Sequence, residues 1–234
     1  MNVITLASRK GGVGKSTLTA HLAGFAHLVG YRTMVVDADP QGSLTLWHST
    51  RAQQMRGQEL RGQDGLALQN PAQGMNRILA SAQLNGYQWV FIDTAPTTWV
   101  VVQEAIRAAT LVLIPVRPGF FDLAAVRETV ATARELGKPY AVVINAAPVK
   151  REEKEAPGVA LSRAHFDALA IPVWSGQISQ RAGFLGSLAA GVSAGEIDGD
   201  SACKTEIARL WSAVERSVEA INLAHAGTGG YRAA

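Results

Sequence analysis

Short apolar runs of strand length alternate with helical stretches along this chain. The runs are rich in β-branched residues and are continuous, which is typical of strands buried on both faces of a sheet. They comprise Val3–Ala7, Thr33–Val36, Trp89–Ile92, Leu111–Val116 and Tyr140–Ile144. Helices are predicted over Ser16–Val29, Thr98–Ala109 and Asp122–Leu136, and two of them stop at Gly30 and Gly137. This alternation predicts an α/β fold: a doubly wound, mostly parallel sheet with helices on both faces, which binds ligands beyond the carboxyl ends of its strands.

Length and composition fit one compact domain. With 234 residues, of which 47% are hydrophobic and 18% charged, the chain has enough apolar material for a single core. We expect one domain over residues 1–224 and a flexible, glycine-rich tail over 225–234. The single cysteine, Cys203, has no partner for an internal disulfide, and the sequence shows neither a secretory leader pattern nor an apolar run of about 20 residues. These features predict a cytoplasmic protein.

A glycine-rich string, Lys10-Gly11-Gly12-Val13-Gly14-Lys15-Ser16-Thr17, lies between the first predicted strand and the first predicted helix. Glycines let the backbone wrap closely around an anion, so that its N–H groups and the positive end of the helix point at phosphates. In such a loop Lys15 contacts the outer phosphates and the Ser16 hydroxyl binds Mg²⁺. The string therefore predicts a P-loop. A dinucleotide site is excluded, because no third glycine follows Gly14 at the start of the helix.

The standard P-loop pattern has a glycine where this chain has Arg9. The string that begins at Lys10 instead resembles the variant Walker A motif of the ParA/MinD family of ATPases. The resemblance implies a P-loop NTPase-like fold with ATP and Mg²⁺ as cofactors. It also implies that Lys10 reaches across the interface of an ATP-dependent homodimer and stabilises charge on the transferring phosphoryl group. The residues that it assigns to the nucleotide are Gly11, Gly12, Val13, Gly14, Lys15, Ser16 and Thr17.

Two acidic segments follow predicted strands. The segment Asp37–Gly42 resembles the family signature D-x-D-P-Q-G, and Asp93 follows an apolar run as in a Walker B motif. Mg²⁺ prefers oxygen ligands and keeps several waters, so Asp93 can hold the ion through water beside Ser16. The resemblance implies that Asp39 orients the attacking water and that Asp37 supports the site. The expected metal ligands are Ser16, Asp39 and Asp93, and the expected catalytic residues are Lys10, Lys15 and Asp39.

The resemblance extends over nearly the whole chain. Val142–Asn145 resembles the strand whose asparagine contacts adenine in the family, although an asparagine that starts a turn before Pro148 is an alternative. Gln180–Gly191 and the last helix also resemble ParA proteins. The polar stretch after Trp47 departs from the family pattern. Arg51–Gly74 is rich in Gln, Gly and Arg, which predicts a polar surface connection containing one short helix.

Three functions are compatible with this family. In the ParA-type function, an ATP-bound dimer binds nonspecific DNA of the nucleoid, and a ParB-like or cargo-adaptor protein stimulates hydrolysis, so that plasmid, chromosome or protein cargo is segregated or positioned. The net charge of +3 does not by itself indicate DNA binding, because basic residues are scattered. Candidate DNA contacts are Arg181, Lys204, Arg209 and Arg216, among which the acidic residues Glu196, Asp198, Asp200, Glu206 and Glu215 are interspersed.

The other two functions are a MinD-type membrane-associated positioning ATPase and a metabolic P-loop enzyme of the same superfamily. The last predicted helix carries an apolar stripe, for which core packing is the favoured interpretation over membrane attachment. Its members are Ile207, Leu210, Trp211, Val214, Val218 and Ile221. The D-x-D-P-Q-G string favours ParA over a metabolic enzyme, and a cluster-bearing iron protein is excluded because one cysteine cannot ligate a cluster.

Overall fold

Six parallel strands form one sheet in the computed structural model, which describes residues 1–55, 66–70, 74–97, 99–152, 154–197 and 201–228. The strands are β1 (Asn2–Leu6), β2 (Thr33–Ala38), β3 (Leu66–Gln69), β4 (Trp89–Thr94), β5 (Leu111–Val116) and β6 (Tyr140–Ile144). Their order across the sheet is β3-β2-β4-β1-β5-β6, and every pairing is parallel. The predicted doubly wound α/β fold is confirmed.

Helices cover both faces of this sheet. They are α1 (Lys15–Leu28), α2 (Ser43–Met55), α3 (Met75–Leu84), α4 (Trp99–Ala108), α5 (Phe120–Glu135), α6 (Pro157–Ala168), α7 (Ala182–Ala189) and α8 (Ala202–Thr228). One hydrophobic cluster packs α1, α2, α7 and α8 against one face, and two clusters pack α3, α4 and α5 against the other. Each helix buries apolar side chains that an isolated helix would leave in water, and this burial stabilises the layered fold.

The strands form where the sequence predicts continuous burial. Every residue of β2, β4 and β5 is buried, as expected for strands covered by helices on both sides. Gly30 and Gly137 have φ values of 96° and 62°. These left-handed conformations end α1 and α5 at the two predicted stops, because glycine adopts positive φ without a steric penalty.

The predicted polar connection Arg51–Gly74 is wrong in two respects. It contains β3, which extends the edge of the sheet by pairing with β2, and the Arg51 side chain is buried rather than solvated. The sequence misses β3 because the strand has only four residues within a polar segment. Residues 56–65 and 71–73 of this segment lie outside the described residues.

The apolar stripe of α8 lies in the core. Trp211 packs edge-on against Trp89 with ring centroids 4.7 Å apart, and Ile207, Leu210, Val214 and Val218 are buried. Core packing of the stripe is therefore confirmed. The helix continues to Thr228, past the start of the expected tail, and residues 229–234 lie outside the described residues. Among the described helices, none combines the length and apolar content needed to cross a bilayer.

Candidate nucleotide site

The glycine-rich string forms the connection from β1 to α1, at the carboxyl end of β1. Gly12 and Gly14 have φ values of 73° and 92°, a region that residues with a Cβ rarely adopt. Nothing lies within 4 Å of the place that a Cβ would occupy at Gly12. The backbone therefore faces open space on that side, which fits an anion held by N–H groups.

Lys15 is the buried cation of this loop. Its side chain starts α1, is buried, and directs its Nζ toward the Lys10 carbonyl oxygen at 3.4 Å. Burial lowers the pKa of Lys15, and the charges of Asp93 and Asp39 partly oppose that effect. A lysine that is desolvated beside two carboxylates and a glycine cradle is placed to contact phosphate oxygens.

Asp93 and Ser16 meet at the base of the loop. The Ser16 hydroxyl donates to Asp93 Oδ2 at 2.5 Å, and Asp93 is fully buried at the end of β4. Burial raises the pKa of Asp93 to about 7, against the lowering effects of the Ser16 hydrogen bond and the Lys15 charge. Its Oδ1 atom has no hydrogen-bond partner within the described part of the chain. A buried acceptor of this kind fits a site that binds a hydrated cation.

The two aspartates after β2 have different surroundings. Asp37 Oδ2 accepts hydrogen bonds from the Thr45 backbone N–H and hydroxyl, both at 2.8 Å, and thereby fixes the first turn of α2. Asp39 is partly exposed and lines the cavity, and its Oδ1 accepts a hydrogen bond from the Gln41 N–H at 3.0 Å. The contacts of Asp37 therefore stabilise α2, whereas the carboxylate of Asp39 is open toward the cavity.

Sheet order explains why these acids converge. Strand β4 lies between β2 and β1, and Asp93 is paired in register with Asp37 on one side and with Leu6 on the other. The three strand ends open into a cavity of about 810 Å³. This volume lies within the usual range for ligand sites, roughly 300–1,000 Å³. Among the lining residues are Gly11, Gly12, Gly14, Lys15, Ser16, Thr17, Asp39 and Gln41.

No group of three or more His, Cys, Asp or Glu side chains within the described ranges is arranged to hold a metal ion by itself. Mg²⁺ is usually bound by one or two carboxylates together with phosphates and waters. Ser16 and Asp93 are in contact, and Asp39 lies on the same cavity as Ser16. The three expected metal ligands therefore fit a cation that is completed by phosphate oxygens.

Asn145 holds the phosphate loop through a hydrogen bond to its backbone. Its Nδ2 donates to the Val13 carbonyl oxygen at 2.7 Å, and its own N–H donates to the Val116 carbonyl oxygen at 2.8 Å. A smaller cleft of about 130 Å³ lies beside it, lined by Gly14, Thr17 and Gln180 among others. The contact with Val13 was not foreseen from the sequence, and the adenine contact of Asn145 stays a prediction.

The Lys10 side chain pairs with helix α5. Its Nζ lies 3.6 Å from Asp122 Oδ1 of α5, and nearly half of its side chain is exposed. The neighbouring Arg9 pairs with Glu128 at 2.9 Å and lies over the Trp99 ring at 4.5 Å from its centroid. Lys10 is thus at the rim of the site, where a second molecule has access to it.

The candidate DNA contacts are distributed over α8 and the segment before α7. Arg209 and Arg216 are exposed and seven residues apart, so they share one face of α8. Lys204 is half-buried on another face, and Arg181 pairs with Glu206 at 3.0 Å. Two of the interspersed acids have other contacts: Glu215 accepts from the Tyr31 hydroxyl, and Glu196 pairs with Arg51. Asp198 and Asp200 lie outside the described residues.

Comparison with known proteins identifies this arrangement. Residues 4–192 match the CobQ/CobB/MinD/ParA nucleotide binding domain family. The chain belongs to this family. Among curated ParA/MinD relatives, the chromosome-partitioning ATPase Soj of Thermus thermophilus is 30% identical over 153 residues, which cover 57% of this chain and 61% of Soj. The chain thus matches about three fifths of the length of that relative.

Two solved structures share the CobQ/CobB/MinD/ParA fold. An ATP complex of Cyanothece McdA has a TM-score of 0.69 and 16% identity, and the match covers 94% of this chain and 96% of McdA. The septum site-determining protein MinD of Pyrococcus horikoshii, complexed with Mg-ADP, has a TM-score of 0.69 and 15% identity, with 94% and 98% of the two chains covered. These likenesses confirm the P-loop NTPase-like fold. The chain is a member of the ParA/MinD family of P-loop ATPases, related to Soj.

Proposed function

We propose that this chain is a Mg²⁺-dependent ParA-type ATPase that dimerises on binding ATP. The observation that carries the proposal is the convergence of the Gly12 cradle, the buried Lys15 and the Ser16–Asp93 pair at one end of the sheet. In this arrangement the loop amides and Lys15 bind phosphate oxygens, and Ser16 and Asp93 hold the cation. The ATP and Mg-ADP named in the complexes of two structural neighbours support this assignment.

Within the site each remaining residue has one proposed role. Asp39 orients the attacking water, because its carboxylate is the partly exposed one on the cavity. Asp37 keeps α2 in place through Thr45. Lys10 serves the nucleotide of the second protomer, as its exposed position at the rim allows. Asn145 holds the loop at Val13 and borders the cleft in which we place the base.

We propose that the dimer binds nonspecific DNA and segregates or positions plasmid, chromosome or protein cargo in the cytoplasm, on the nucleoid. The chromosome-partitioning name of Soj supports this role. Arg209 and Arg216 are the first candidate contacts, since they share an exposed face and the nearby acids Glu206 and Glu215 have other partners. A ParB-like or cargo-adaptor protein would stimulate hydrolysis and release the DNA. Residues 1–224 would act as one ATPase domain.

A gel-shift assay with nonspecific duplex DNA tests this proposal. We expect binding with Mg-ATP, little binding without nucleotide, and a steep loss of affinity between about 50 and 200 mM salt. The Asp39→Ala variant should bind ATP and DNA but hydrolyse ATP at least about 100-fold more slowly, because its attacking water is no longer oriented. DNA binding that is indifferent to nucleotide would contradict the ParA-type role, and ATP-dependent binding to liposomes instead of DNA would favour the MinD-type role.

A further inference from the structure

Two helices that begin at the nucleotide site both contact the same loop. The loop comprises residues 191–196 and lies between α7 and α8; we call it the 191–196 loop. Helix α1 starts at Lys15 of the phosphate cradle, and α2 starts four residues after Asp39. Helix α1 reaches the loop through His21, whose Nδ1 accepts a hydrogen bond from the Ala194 N–H at 3.1 Å.

Helix α2 reaches the same loop through a buried ion pair. Arg51 Nη1 and Nη2 donate to the two carboxylate oxygens of Glu196 at 2.9 and 2.6 Å, and Nη1 also lies 3.4 Å from the Gly191 carbonyl oxygen. The Arg51 side chain is 1% exposed and that of Glu196 is 13% exposed. Glu196 further accepts the Ser193 N–H at 2.6 Å. One carboxylate thus closes the loop on itself and fastens it to α2.

Backbone packing leaves no room between the loop and the two helices. Gly191 has a φ of 72°, and a Cβ there would lie 2.6 Å from the Arg51 backbone nitrogen. A Cβ at Gly24 of α1 would lie 2.6 Å from Ser193 Cβ. Because packed interiors transmit displacements rather than absorb them, a shift of α1 or α2 must move the loop.

Arg51 lies close to the residues of α2 that line the cavity. Trp47 and Thr50 line the nucleotide cavity, and the Arg51 guanidinium lies 5.9 Å from the centroid of the Trp47 ring. At the start of the same helix, Thr45 holds Asp37. A nucleotide that changes the position of α2 therefore displaces one partner of the Arg51–Glu196 pair.

We infer that Arg51 and Glu196 are positioning residues that couple nucleotide binding at the P-loop to the 191–196 loop and the start of α8. The inference rests on the nucleotide site of the proposed function. Stability alone is a weak reason for such a pair, because a buried ion pair loses much of its Coulombic gain to desolvation. A bidentate pair between two elements instead fixes their relative register. Ala194 of the loop belongs to the same hydrophobic cluster as Cys203 and Ile207 at the start of α8, the helix that also carries Arg209 and Arg216.

Hydrogen–deuterium exchange with Mg-ATPγS as the probe tests the coupling without relying on hydrolysis or DNA. In the wild-type protein, ATPγS should slow exchange in residues 191–196 and 201–210 by roughly five-fold or more, as expected for an allosteric coupling of ordinary size. In Glu196→Gln this response should disappear, while the affinity for ATPγS, measured by calorimetry, should stay within about three-fold, since Glu196 does not line the cavity.

Glu155→Gln is the matched control. Glu155 also pairs with an arginine, Arg163, at 2.9 Å, but it contacts neither α2 nor the 191–196 loop in that pair. This variant should keep the wild-type response. If Glu196→Gln fails to fold, the double variant Arg51→Met with Glu196→Met replaces it, because apolar substitution of both partners often preserves the fold.

The outcomes separate the inference from the proposed function. Binding of ATPγS without any change in exchange at 191–196 and 201–210 would overturn the inference alone. A wild-type response in Glu196→Gln or in the double variant, or an equal loss in Glu155→Gln, would overturn it as well. Absence of ATPγS binding to the wild-type protein would overturn both the proposed function and the inference.

Discussion

Asp93 carries a buried carboxylate at the base of the phosphate loop. Its carboxylate is fully buried, and within the described residues only one of its oxygens has a hydrogen-bond partner, the Ser16 hydroxyl. Burial raises the pKa of Asp93 to about 7, since the negative charge is poorly solvated there. A positive charge next to the free oxygen would remove this penalty. These properties of Asp93 therefore support the proposed cation site.

Lys15→Ala should abolish detectable nucleotide binding. The buried ammonium is the cation placed within the glycine cradle, and its removal leaves the phosphate charges facing Asp93 and Asp39. Loss of a charge-assisted contact of this kind costs about 2–5 kcal/mol, or a factor of 30 or more in affinity. Calorimetry with Mg-ATP measures the effect. Lys154→Ala is the control, because Lys154 is exposed and does not line the cavity. ATP binding by Lys15→Ala equal to that of this control would refute the assignment.

His21 should make the protein sensitive to acid. Burial lowers the pKa of His21 from 6.5 to about 4 in the folded chain, so between these values the unfolded chain binds more protons than the folded one. The free energy of unfolding is then fully retained above about pH 6.5 and falls as the pH drops toward 4. Each unit of difference between the folded and the unfolded pKa corresponds to about 1.4 kcal/mol, so this loss of unfolding free energy approaches roughly 3 kcal/mol.

Urea unfolding of the wild type and of His21→Gln between pH 7.5 and pH 4.5 measures this contribution. Glutamine can accept a hydrogen bond but takes up no proton in this range. The remaining histidines are common to both proteins, so the difference between the two curves isolates His21. We expect the variant to lose less stability than the wild type below pH 6.5. Parallel curves would show that proton uptake by His21 does not limit stability.

At the scale of elements, local patterns predict the central part of the molecule and miss its long-range contacts. Strands β5 and β6 have the predicted bounds, and α1 and α5 end at the predicted glycines. Continuous burial leaves a local mark in the sequence as an apolar run, and positive φ leaves one as a glycine. Strand β3 leaves no such mark, because it has only four residues and lies within a polar segment. The pairing of Arg51 with Glu196 joins positions 145 apart in sequence, and no periodicity reports such a contact.

The site was predictable to the same extent. The glycine string, Ser16 and Asp93 follow from a motif whose spacing sets the chemistry, and the structure brings Ser16 and Asp93 into contact. Thr45 was missed, although its place in the first turn of α2 after an acidic loop is a signal for a capping contact. The Lys10–Asp122 contact was missed because it depends on how α5 packs beside the loop.

Arg209 and Arg216 lie on the exposed face of α8 that we expect to contact DNA. Replacing Arg209 and Arg216 by alanine should weaken ATP-dependent DNA binding at least about ten-fold and reduce the slope of log K against log salt by about 2, one unit for each lost phosphate contact. ATP affinity should not change, since neither residue lines the nucleotide cavity. Filter binding at several salt concentrations measures both quantities.

Arg77→Ala is the control for this pair. Arg77 is exposed on α3, which packs on the opposite face of the sheet from α8. It should leave the salt slope unchanged. If Arg77→Ala weakens DNA binding as strongly as the α8 variant, then the net charge of the chain, and not a face of α8, determines the interaction.

For the whole molecule, the order of the strands places the chemistry at one end of the sheet. Strand β1 lies between β4, which carries Asp93 next to its last residue, and β5. Carboxyl ends of parallel strands share one edge, and the crevice beside a central strand is the usual ligand site of such sheets. Of the three expected catalytic residues, Lys15 and Asp39 line the cavity, whereas Lys10 pairs with Asp122 and does not line it. We therefore expect any role of Lys10 in hydrolysis to require the second protomer.

Lys10→Ala should separate ATP binding from turnover. The Lys10 side chain contacts Asp122 and not the cavity interior, so the variant should bind ATP within about three-fold of the wild type. Without a cation from the second protomer, charge on the transferring phosphoryl group is less stabilised, and turnover in the dimer should fall by about 100-fold or more. The rate of hydrolysis per protomer, measured at several protein concentrations, reports this loss. The wild-type rate should be low at low protein concentration and rise as dimers form. The rate of the variant should not change with concentration. A rate per protomer that is high and independent of concentration in the wild type would show that each molecule completes its own active site.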